Sequence, residues 1–307
     1  MKRKIISLLC TIFAIFSMIF CGCTPCESNT PTPGEIFTNY EKSLVCIEFE
    51  NSGAWSKATA VATDFDGEWI TMLTCYHAIN MGFSSAQAKF YGDDIEPINL
   101  QTCEVVSYDE KLDLALIKIK NDDYSGKTVA LGDFAKPGAV GSTVYVIGNE
   151  KGEGITLDSG HIKMLDEIKN YNGQTKPLMR VSVSFTEGYS GGVVVDSNSK
   201  IVGIAVANDA QNTNRGYAIS ASIAKAFITR AGGKYPTFSV GSEEYADGDI
   251  FKEKTVVTLG TTEYEFKSGK LILGGNQYTT FNGKAIESSL SEFIAQIILS
   301  QETYTLN

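Results

Sequence analysis

Residues 191–208, GGVVVDSNSKIVGIAVAN, decide the class of fold that this chain adopts. Two runs rich in valine and isoleucine surround the polar turn Asp196-Ser197-Asn198-Ser199, a pattern that predicts a β-hairpin. Similar β-rich runs separated by turn residues precede it: SLVCIEFE (43–50), KATAVATDF (57–65), WITMLTC (69–75), LALIKIK (114–120), STVYVIG (142–148) and MRVSVSF (179–185). Because no helical periodicity separates these runs, they predict antiparallel barrels or a sandwich rather than a parallel α/β sheet.

The composition is that of an ordinary globular protein. The chain has 307 residues, of which 43% are hydrophobic and 20% charged, so collagen-like, coiled-coil and wholly disordered classes are excluded. At about 150 residues per domain, the length predicts roughly two domains. The net charge of −10 disfavours a nucleic-acid partner, because phosphate binding requires clustered positive charge.

The first 22 residues are typical of an export signal. Three basic residues (2–4) precede an uncharged, mostly apolar run (5–20), which is shorter than the roughly 20 residues of a membrane span. The tetrapeptide Phe20-Cys21-Gly22-Cys23 resembles the lipobox of bacterial lipoproteins, which implies lipidation of Cys23 and attachment to the envelope membrane. Cys21 is the weaker candidate because Phe20 precedes it, and an uncleaved, short membrane anchor is the alternative. The polar, Pro-rich stretch that follows predicts an extended tether over 23–39.

Removal of residues 1–22 would leave 23 basic and 36 acidic side chains and an exported chain in which disulfides can form. Besides Cys23, four thiols would remain, namely Cys26, Cys46, Cys75 and Cys103. They can form disulfides in three ways, and the sequence does not distinguish between these pairings. Cys75 lies two residues before a histidine, but a buried strand thiol or a half-cystine is favoured over a catalytic role.

Three segments contain the residue types that acyl transfer by a serine requires, namely a nucleophile, a base, an orienting carboxylate and oxyanion donors. Ser190 lies among glycines in GYSGG (188–192), His77 follows an apolar strand in LTCYHAIN, and Asp113 begins a strand in YDEKLDLALIKI. Taken singly, each has a structural explanation: a Gly-Ser turn, a satisfied histidine, or a carboxylate at an exposed strand end. Together, the three residues make these structural explanations less favoured, since each residue lies where a strand meets a turn.

The order of these residues distinguishes between serine-hydrolase folds. GYSGG also fits the G-x-S-x-G elbow of α/β-hydrolases, but that fold needs a histidine after the serine and none follows Ser190. The subtilisin order would require His161, which has no neighbour in sequence to orient it. The order His77, Asp113, Ser190 is that of chymotrypsin-like double barrels.

The motifs TCYHAI, LDLALIKI, GYSGG and VVVDSNSKIVGIAVAN resemble a trypsin-like peptidase domain of the HtrA (Deg) type over about 40–230. The resemblance implies a double six-stranded antiparallel β-barrel within 40–231, with barrels at about 40–121 and 127–220. It implies His77 as general base, Asp113 as its orienting partner and Ser190 as nucleophile, with the amides of Gly188 and Ser190 as oxyanion hole. It implies no metal or organic cofactor. By analogy with trimeric HtrA proteins, Phe37 and Tyr40 are candidates for a homotrimer interface.

The chain departs from the family at Tyr189, where HtrA enzymes usually have Asn and digestive enzymes have an Asp that pairs with a new N-terminus. Tyrosine cannot form that ion pair, so activation by zymogen cleavage is not expected, and the resting conformation of the loop is an open question. The predicted substrate pocket contains no acidic residue, which favours cleavage after small or medium apolar residues. The predicted pocket residues are Ser184, Phe185, Ile204, Ala205 and Val206.

The C-terminal part is predicted as a polar linker (232–250) followed by a small α+β module (251–307). Helices are predicted at 219–230 and 289–300, and the run from LGGNQYTTFNGKAI to the final TYTL resembles the second half of a PDZ domain, a module that binds exposed C-termini by strand addition. An unrelated β-rich cap packed on the protease is the alternative.

The sequence thus predicts an exported, lipid-anchored serine endopeptidase acting on unfolded or misfolded envelope or extracellular proteins. The competing hypothesis is a non-catalytic, peptide-binding surface lipoprotein, since a fold can persist after its chemistry is lost.

Overall fold

The computed structural model describes residues 30–51, 53–80, 85–90, 98–99, 103–122, 124–209, 212–231, 233–244 and 253–307. The chain divides into two units, Met1–Thr30 and Pro31–Asn307, and the fold described below is that of the second. The predicted signal peptide (1–22), Cys23 and Cys26 lie outside the described residues. None of the helices in the described ranges is long and apolar enough to cross a membrane.

The first lobe is an antiparallel sheet with the strand order β5-β4-β1-β2-β3-β7-β6. Its strands are β1 (Leu44–Asn51), β2 (Ala54–Phe65), β3 (Trp69–Cys75), β4 (Ser85–Phe90), β5 (Ile98–Asn99), β6 (Glu104–Asp109) and β7 (Leu114–Lys120). The apolar run of β7 is buried along nearly its whole length because it lies between β3 and β6. Among the described residues the sheet includes a seventh strand, because the two-residue β5 adds to β4 at its edge.

The second lobe is a closed barrel in which the strands follow the order β10-β13-β12-β11-β8-β9. Its strands are β8 (Thr143–Asn149), β9 (Ile155–Tyr171), β10 (Gln174–Val181), β11 (Val193–Asp196), β12 (Ile201–Asp209) and β13 (Asn212–Ser220). The predicted hairpin at 191–208 is confirmed as β11 and β12, and Asp196 Oδ1 accepts from the amides of Asn198 and Lys200 within its turn. The mainly β, double antiparallel architecture is therefore confirmed.

The N-terminal helix α1 (Pro33–Tyr40) corrects the prediction of a tether reaching residue 39. It begins with a capping box, in which the Thr32 hydroxyl accepts from the Glu35 amide while the Glu35 carboxylate accepts from the Thr32 amide. Tyr40 is buried, and its hydroxyl donates to the carbonyl of Ser199 in the second lobe. Tyr40 is thus part of the interior of the chain and not available as a surface residue for a trimer.

The C-terminal module begins earlier than predicted. Five strands form an antiparallel sheet in sequence order, and two short strands form a second sheet: β14 (Phe238–Glu244), β15 (Glu253–Leu259), β16 (Thr262–Phe266), β17 (Leu271–Leu273), β18 (Asn276–Tyr278), β19 (Thr280–Phe281) and β20 (Lys284–Ala285). β14 lies inside the predicted linker (232–250), because its seven residues pair with β15. The predicted helices are confirmed as α2 (Ala221–Arg230) and α3 (Leu290–Ile298). A PDZ-like nature of this module stays a prediction.

The C-terminal module is attached to the second lobe through the first turn of α3. The Asp166 carboxylate of β9 accepts from the Ser289 hydroxyl at 2.8 Å and from the amides of Leu290 and Ser291 at 3.1 and 3.0 Å. A carboxylate at this position satisfies amides that have no partner inside the helix and opposes the positive end of its dipole. One hydrophobic cluster continues from both lobes into α2, α3 and the module.

Candidate active site

His77 is positioned at the end of β3. The strand ends at Cys75, and the chain then forms a single 3₁₀ turn (Tyr76–Ala78) that turns the half-buried imidazole toward the second lobe. The amide of His77 donates to Asp113 Oδ1 at 2.9 Å, and its Nδ1 lies 2.8 Å from Asp113 Oδ2. One carboxylate therefore fixes both the backbone and the ring of the histidine.

Asp113 occupies the turn between β6 and β7 in a left-handed conformation with φ of 61°. Its side chain is 2–3% exposed, and its carbonyl accepts from the Tyr76 amide at 3.1 Å. Since a carboxylate at Nδ1 holds the proton on that nitrogen, Nε2 of His77 is left as the acceptor.

Ser190 Oγ lies 3.1 Å from Nε2 of His77. The same hydroxyl lies 3.1 Å from the carbonyl oxygen of Val206, so its proton has two acceptors in the resting site. The structure thus brings together the three residues that the sequence predicts as a triad, although they come from positions 77, 113 and 190 and from both lobes.

The orientation of the Gly188 amide follows from its own peptide group. The Glu187 carbonyl accepts from the Lys151 amide at 2.7 Å, and because a trans peptide holds its N–H opposite to its C=O, the Gly188 N–H faces away from Lys151. Gly188 has a φ of +96°, and a Cβ at this position would lie 2.0 Å from the Asn149 carbonyl oxygen, so only glycine fits.

The amide of Ser190 is oriented in the same way. The Tyr189 carbonyl accepts from Gly192 at 2.8 Å, which turns the Ser190 N–H to the opposite side. Within the described part of the chain, neither this amide nor that of Gly188 donates to another group. Two unpaired donors beside a nucleophile are the arrangement that stabilises an oxyanion.

Comparison with known proteins agrees with this geometry. Residues 58–204 match the trypsin-like peptidase domain family. The chain carries a trypsin-like peptidase domain. An HtrA-like serine protease of Staphylococcus aureus (strain MRSA252) is 26% identical over 229 residues, and the magnetosome formation protease MamE of Paramagnetospirillum magneticum is 30% identical over 183 residues. These matches cover 65% and 58% of this chain, but the chain spans only 29% and 24% of those relatives.

Solved structures support the fold of the trypsin-like domain. The HtrA-type protease AlgW, with a tripeptide, gives a TM-score of 0.58 at 18% identity and covers 87% of this chain and 88% of its own. The active form of the Rv3671c protease of M. tuberculosis gives a TM-score of 0.53 at 21% identity, over 69% of this chain and 89% of its own.

Tyr189, which precedes Ser190 and differs from the residue usual in HtrA enzymes, is fully buried. Its hydroxyl lies 2.8 Å from both Thr156 Oγ1 and Asp158 Oδ2, and its ring stacks on Phe185 at 6.1 Å between centroids. Burial raises the pKa of Tyr189, so the phenol remains a neutral donor to the Asp158 carboxylate. The bulky side chain therefore anchors the loop to β9 while the oxyanion amides stay unpaired.

Thr59 on β2 is a positioning residue that the sequence did not reveal. Its hydroxyl donates to the Gly188 carbonyl at 2.7 Å and accepts from the Asn149 amide at 2.8 Å, while its own amide donates to the Ser190 carbonyl at 2.8 Å. It thus ties the oxyanion loop of the second lobe to the first lobe. A buried threonine within an apolar strand is the only local sign, and its partners are 90 and 129 residues away.

The predicted pocket residues divide between two faces of the second lobe. Ala205 and Phe185 belong to one cluster with Tyr189, whereas Ile204 and Val206 pack in the cluster between the lobes, as alternation along a strand requires. The half-buried Ser184 belongs to neither cluster.

Cys75 lies beneath the triad as a fully buried thiol. Its sulfur donates to the Ala205 carbonyl at 3.3 Å, and burial together with the charge of Asp113 raises its pKa well above the usual range. A protonated thiol is neither a nucleophile nor a metal ligand, so this sulfur acts as a structural donor. Cys46 and Cys103 form no disulfide with another described residue, and Cys26 lies outside the described residues. His161 is exposed on β9.

Proposed function

We propose that the protein is a serine endopeptidase whose triad is His77, Asp113 and Ser190. The observation that supports this most directly is the continuous hydrogen-bonded chain from the Asp113 carboxylate through the imidazole to Ser190 Oγ, at 2.8 and 3.1 Å, next to two unpaired amides. The sequence relationship to HtrA-like serine proteases points to the same chemistry.

In the proposed reaction, Ser190 Oγ attacks the scissile carbonyl carbon while Nε2 of His77 takes the hydroxyl proton. The oxyanion that forms accepts hydrogen bonds from the amides of Gly188 and Ser190. His77 then protonates the leaving amine, and a water molecule, deprotonated by the same nitrogen, hydrolyses the acyl-enzyme. Asp113 keeps the imidazole in the required tautomer and stabilises its charged form.

The packing of Phe185 supports a preference for small or medium apolar residues before the scissile bond. Its ring lies directly against Gly216, where an added Cβ would come within 2.6 Å of a ring carbon. The aromatic ring fills space beside the predicted pocket, and no acidic side chain is among the predicted pocket residues to pair with arginine or lysine. A profile from a peptide library dominated by basic residues would contradict this preference.

The proposed substrates are unfolded or misfolded proteins of the envelope or the extracellular space. The predicted export signal, the relationship to HtrA-like proteases and the C-terminal module downstream of the protease domain support this part of the proposal. Degradation of reduced, unfolded casein but not of a stably folded protein of equal size is the expected outcome.

Covalent labelling with a fluorophosphonate probe tests the proposed chemistry. We expect Ser190 to be labelled in the wild-type protein, labelling to disappear in Ser190→Ala, and the control variant Ser288→Ala, at an exposed serine of the C-terminal module, to be labelled normally. Absence of labelling in a folded wild-type protein, with casein also added, would instead favour the peptide-binding alternative.

Lipid attachment at Cys23 is a separate proposal. The full-length protein, expressed in a bacterium, should partition into detergent in Triton X-114 extraction and incorporate labelled palmitate. Cys23→Ala should lose both properties and Cys26→Ala should retain them. Detergent partitioning without palmitate incorporation would favour the uncleaved anchor, and palmitate incorporation retained in Cys23→Ala would favour Cys21.

A further inference from the structure

Lys176 on β10 is a buried lysine close to the His77–Asp113 pair. It is 5% exposed, and its Nζ has no hydrogen-bond partner among the described residues. Nζ lies 6.0 Å from the ring centroid of Tyr171, and the same ring stands at 80° to the imidazole of His77 with 5.7 Å between the two centroids. The second lobe therefore brings a positive charge close to the base and the carboxylate of the first lobe.

The other charged and titratable groups near Lys176 belong to β3, to β6 and the turn after it, and to β9. They are Cys75, Asp109, Glu110, Asp113, Lys169 and Tyr171. Among the acids, Asp113 has the largest electrostatic influence on Lys176. Lys169, the cross-strand partner of Lys176, forms an ion pair with Glu167 at 3.0 Å, and Lys111 in the turn is exposed to solvent.

The main counter-charge of Lys176 is Asp113. Neither Cys75 nor Tyr171 is charged near neutral pH, because burial raises the pKa of the thiol well above its usual range and that of the phenol to about 12. Glu110 is exposed, so water and salt screen its charge. Asp113 is 2% exposed, and charges in the interior are screened much less.

The burial of Lys176 is unfavourable for folding. An ammonium that has lost water without gaining a hydrogen bond is destabilised, and burial lowers the pKa of Lys176, an effect that the charge of Asp113 opposes. A hydrophobic side chain of similar volume would fill the same space without this penalty. The position therefore indicates a role for the charge rather than for packing.

We infer that Lys176 is a positioning residue of the proposed triad and that its ammonium weakens the binding of a proton by His77. The Asp113 carboxylate, 2.8 Å from Nδ1, favours the charged imidazolium. The positive charge of Lys176 acts on the same pair through the poorly screened interior and opposes that effect. The consequence for catalysis rests on the proposed function: Nε2 remains free to accept the Ser190 proton at lower pH than it would beside an uncharged side chain.

NMR titration tests the charge effect without reference to peptidase activity. The chain has two histidines, His77 and the exposed His161, so selectively labelled histidine gives one reporter and one internal control. In Lys176→Met the midpoint of the His77 titration should move up by about 0.5 pH unit or more, and that of His161 should not move. An unchanged or lower midpoint for His77 would overturn the inference.

Two further variants separate charge from packing. Lys176→Arg keeps the positive charge and should keep the wild-type midpoint of His77. Lys267→Met removes an exposed lysine of the C-terminal module and should leave both histidines unchanged. An equal rise in Lys176→Met and Lys176→Arg would attribute the change to packing and overturn the role of the charge.

A measurement on the wild type covers the case in which Lys176→Met does not fold. Electrostatic coupling between two titrating groups is mutual. With labelled lysine, the Cε resonance of Lys176 should therefore shift over the pH interval in which His77 titrates, whereas that of Lys267 should not. Absence of this shift would overturn the coupling.

The rate of fluorophosphonate labelling at Ser190 connects the charge to the chemistry. In Lys176→Met the acid limb of the rate should move to higher pH together with the NMR midpoint, and the rate above that limb should not fall. A loss at every pH without movement of the limb would indicate structural damage and overturn the inference. A wild type that is not labelled at all would count against the proposed function, and the NMR comparison would still decide the effect of Lys176.

Discussion

The oxyanion loop (residues 186–192) and the surroundings of Lys176 on β10 both bury polar groups, but the two regions provide hydrogen-bond partners to different degrees. In the loop, the five consecutive carbonyls of residues 186–190 accept hydrogen bonds, whereas the amides of Gly188 and Ser190 and the buried hydroxyl of Thr186 have no partner among the described residues. At Lys176, the buried ammonium has no hydrogen-bond partner among the described residues. The open amides belong to the loop that contains Ser190, where an oxyanion can accept from them, whereas the ammonium of Lys176 is stabilised by the negative charge of Asp113 without a hydrogen bond.

The largest effect is expected from Asp113→Asn, which tests whether the unpaired amides of the oxyanion loop lie next to a functional triad. An amide in place of the carboxylate no longer holds the proton on Nδ1, so kcat/KM should fall by about 10⁴-fold. Steady-state hydrolysis of a fluorogenic peptide measures this, with Asp109→Asn as the control at the preceding strand end. An unchanged rate would show that the triad is not the source of activity.

The next effect concerns Gly188, whose conformation orients an oxyanion donor. In Gly188→Ala the new Cβ meets the Asn149 carbonyl, the loop must shift, and kcat should fall by about 10² to 10³-fold with little change in KM. Gly173→Ala is the matched control, because Gly173 also has positive φ but no atom lies within 4 Å of the added Cβ. Equal losses in both variants would attribute the effect to backbone strain alone.

Thr59→Val tests the pairing of the loop carbonyls. The substitution leaves the Gly188 carbonyl and the Asn149 amide buried without a partner, at a cost of about 1–3 kcal/mol each in the free energy of unfolding. Thr63→Val on the same strand loses one half-buried hydrogen bond, to Thr71, and should cost less. Chemical denaturation measures both, and equal losses would contradict the special role of Thr59.

The smallest effect is the pH dependence caused by Lys176. Burial lowers its pKa in the folded protein, so between that value and about 10.4 the unfolded chain binds more protons and the stability of the fold rises with pH. The free energy of unfolding of the wild type should therefore rise relative to Lys176→Met from neutral pH toward pH 10. Lys163 is an exposed lysine on β9, and the free energy of unfolding of Lys163→Met should depend on pH in the same way as that of the wild type.

Local patterns predicted the parts of the fold whose partners are close in sequence. The hairpin at 191–208 and the helices α2 and α3 follow from apolar periodicity bounded by turn and capping residues. The order of the three triad segments predicted their convergence, because the double barrel brings those strand ends together. The capping pattern of Thr32, Pro33 and Glu35 is typical of a helix start and could have predicted α1, but the surrounding prolines favoured a tether.

What the sequence did not predict depends on partners that are distant in the chain. β14 is rich in polar residues overall, yet Phe238 and Val240 alternate with exposed Ser239 and are buried only because β15 and the protease domain cover them. Lys176 resembles any surface lysine in a strand, yet it is buried in the folded chain. Thr59 and Tyr189 likewise acquire their roles from contacts made across the molecule.

The division of the active site between two lobes also sets when the protein can become active. His77 and Asp113 belong to the first lobe, Ser190 to the second, and Thr59 joins the oxyanion loop to the first lobe. A partly folded chain with only one finished lobe has no nucleophile–base pair. During refolding, the hydrogen-bonded pair of His77 and Ser190, and any activity that the proposed triad has, therefore cannot return before the slower lobe is complete.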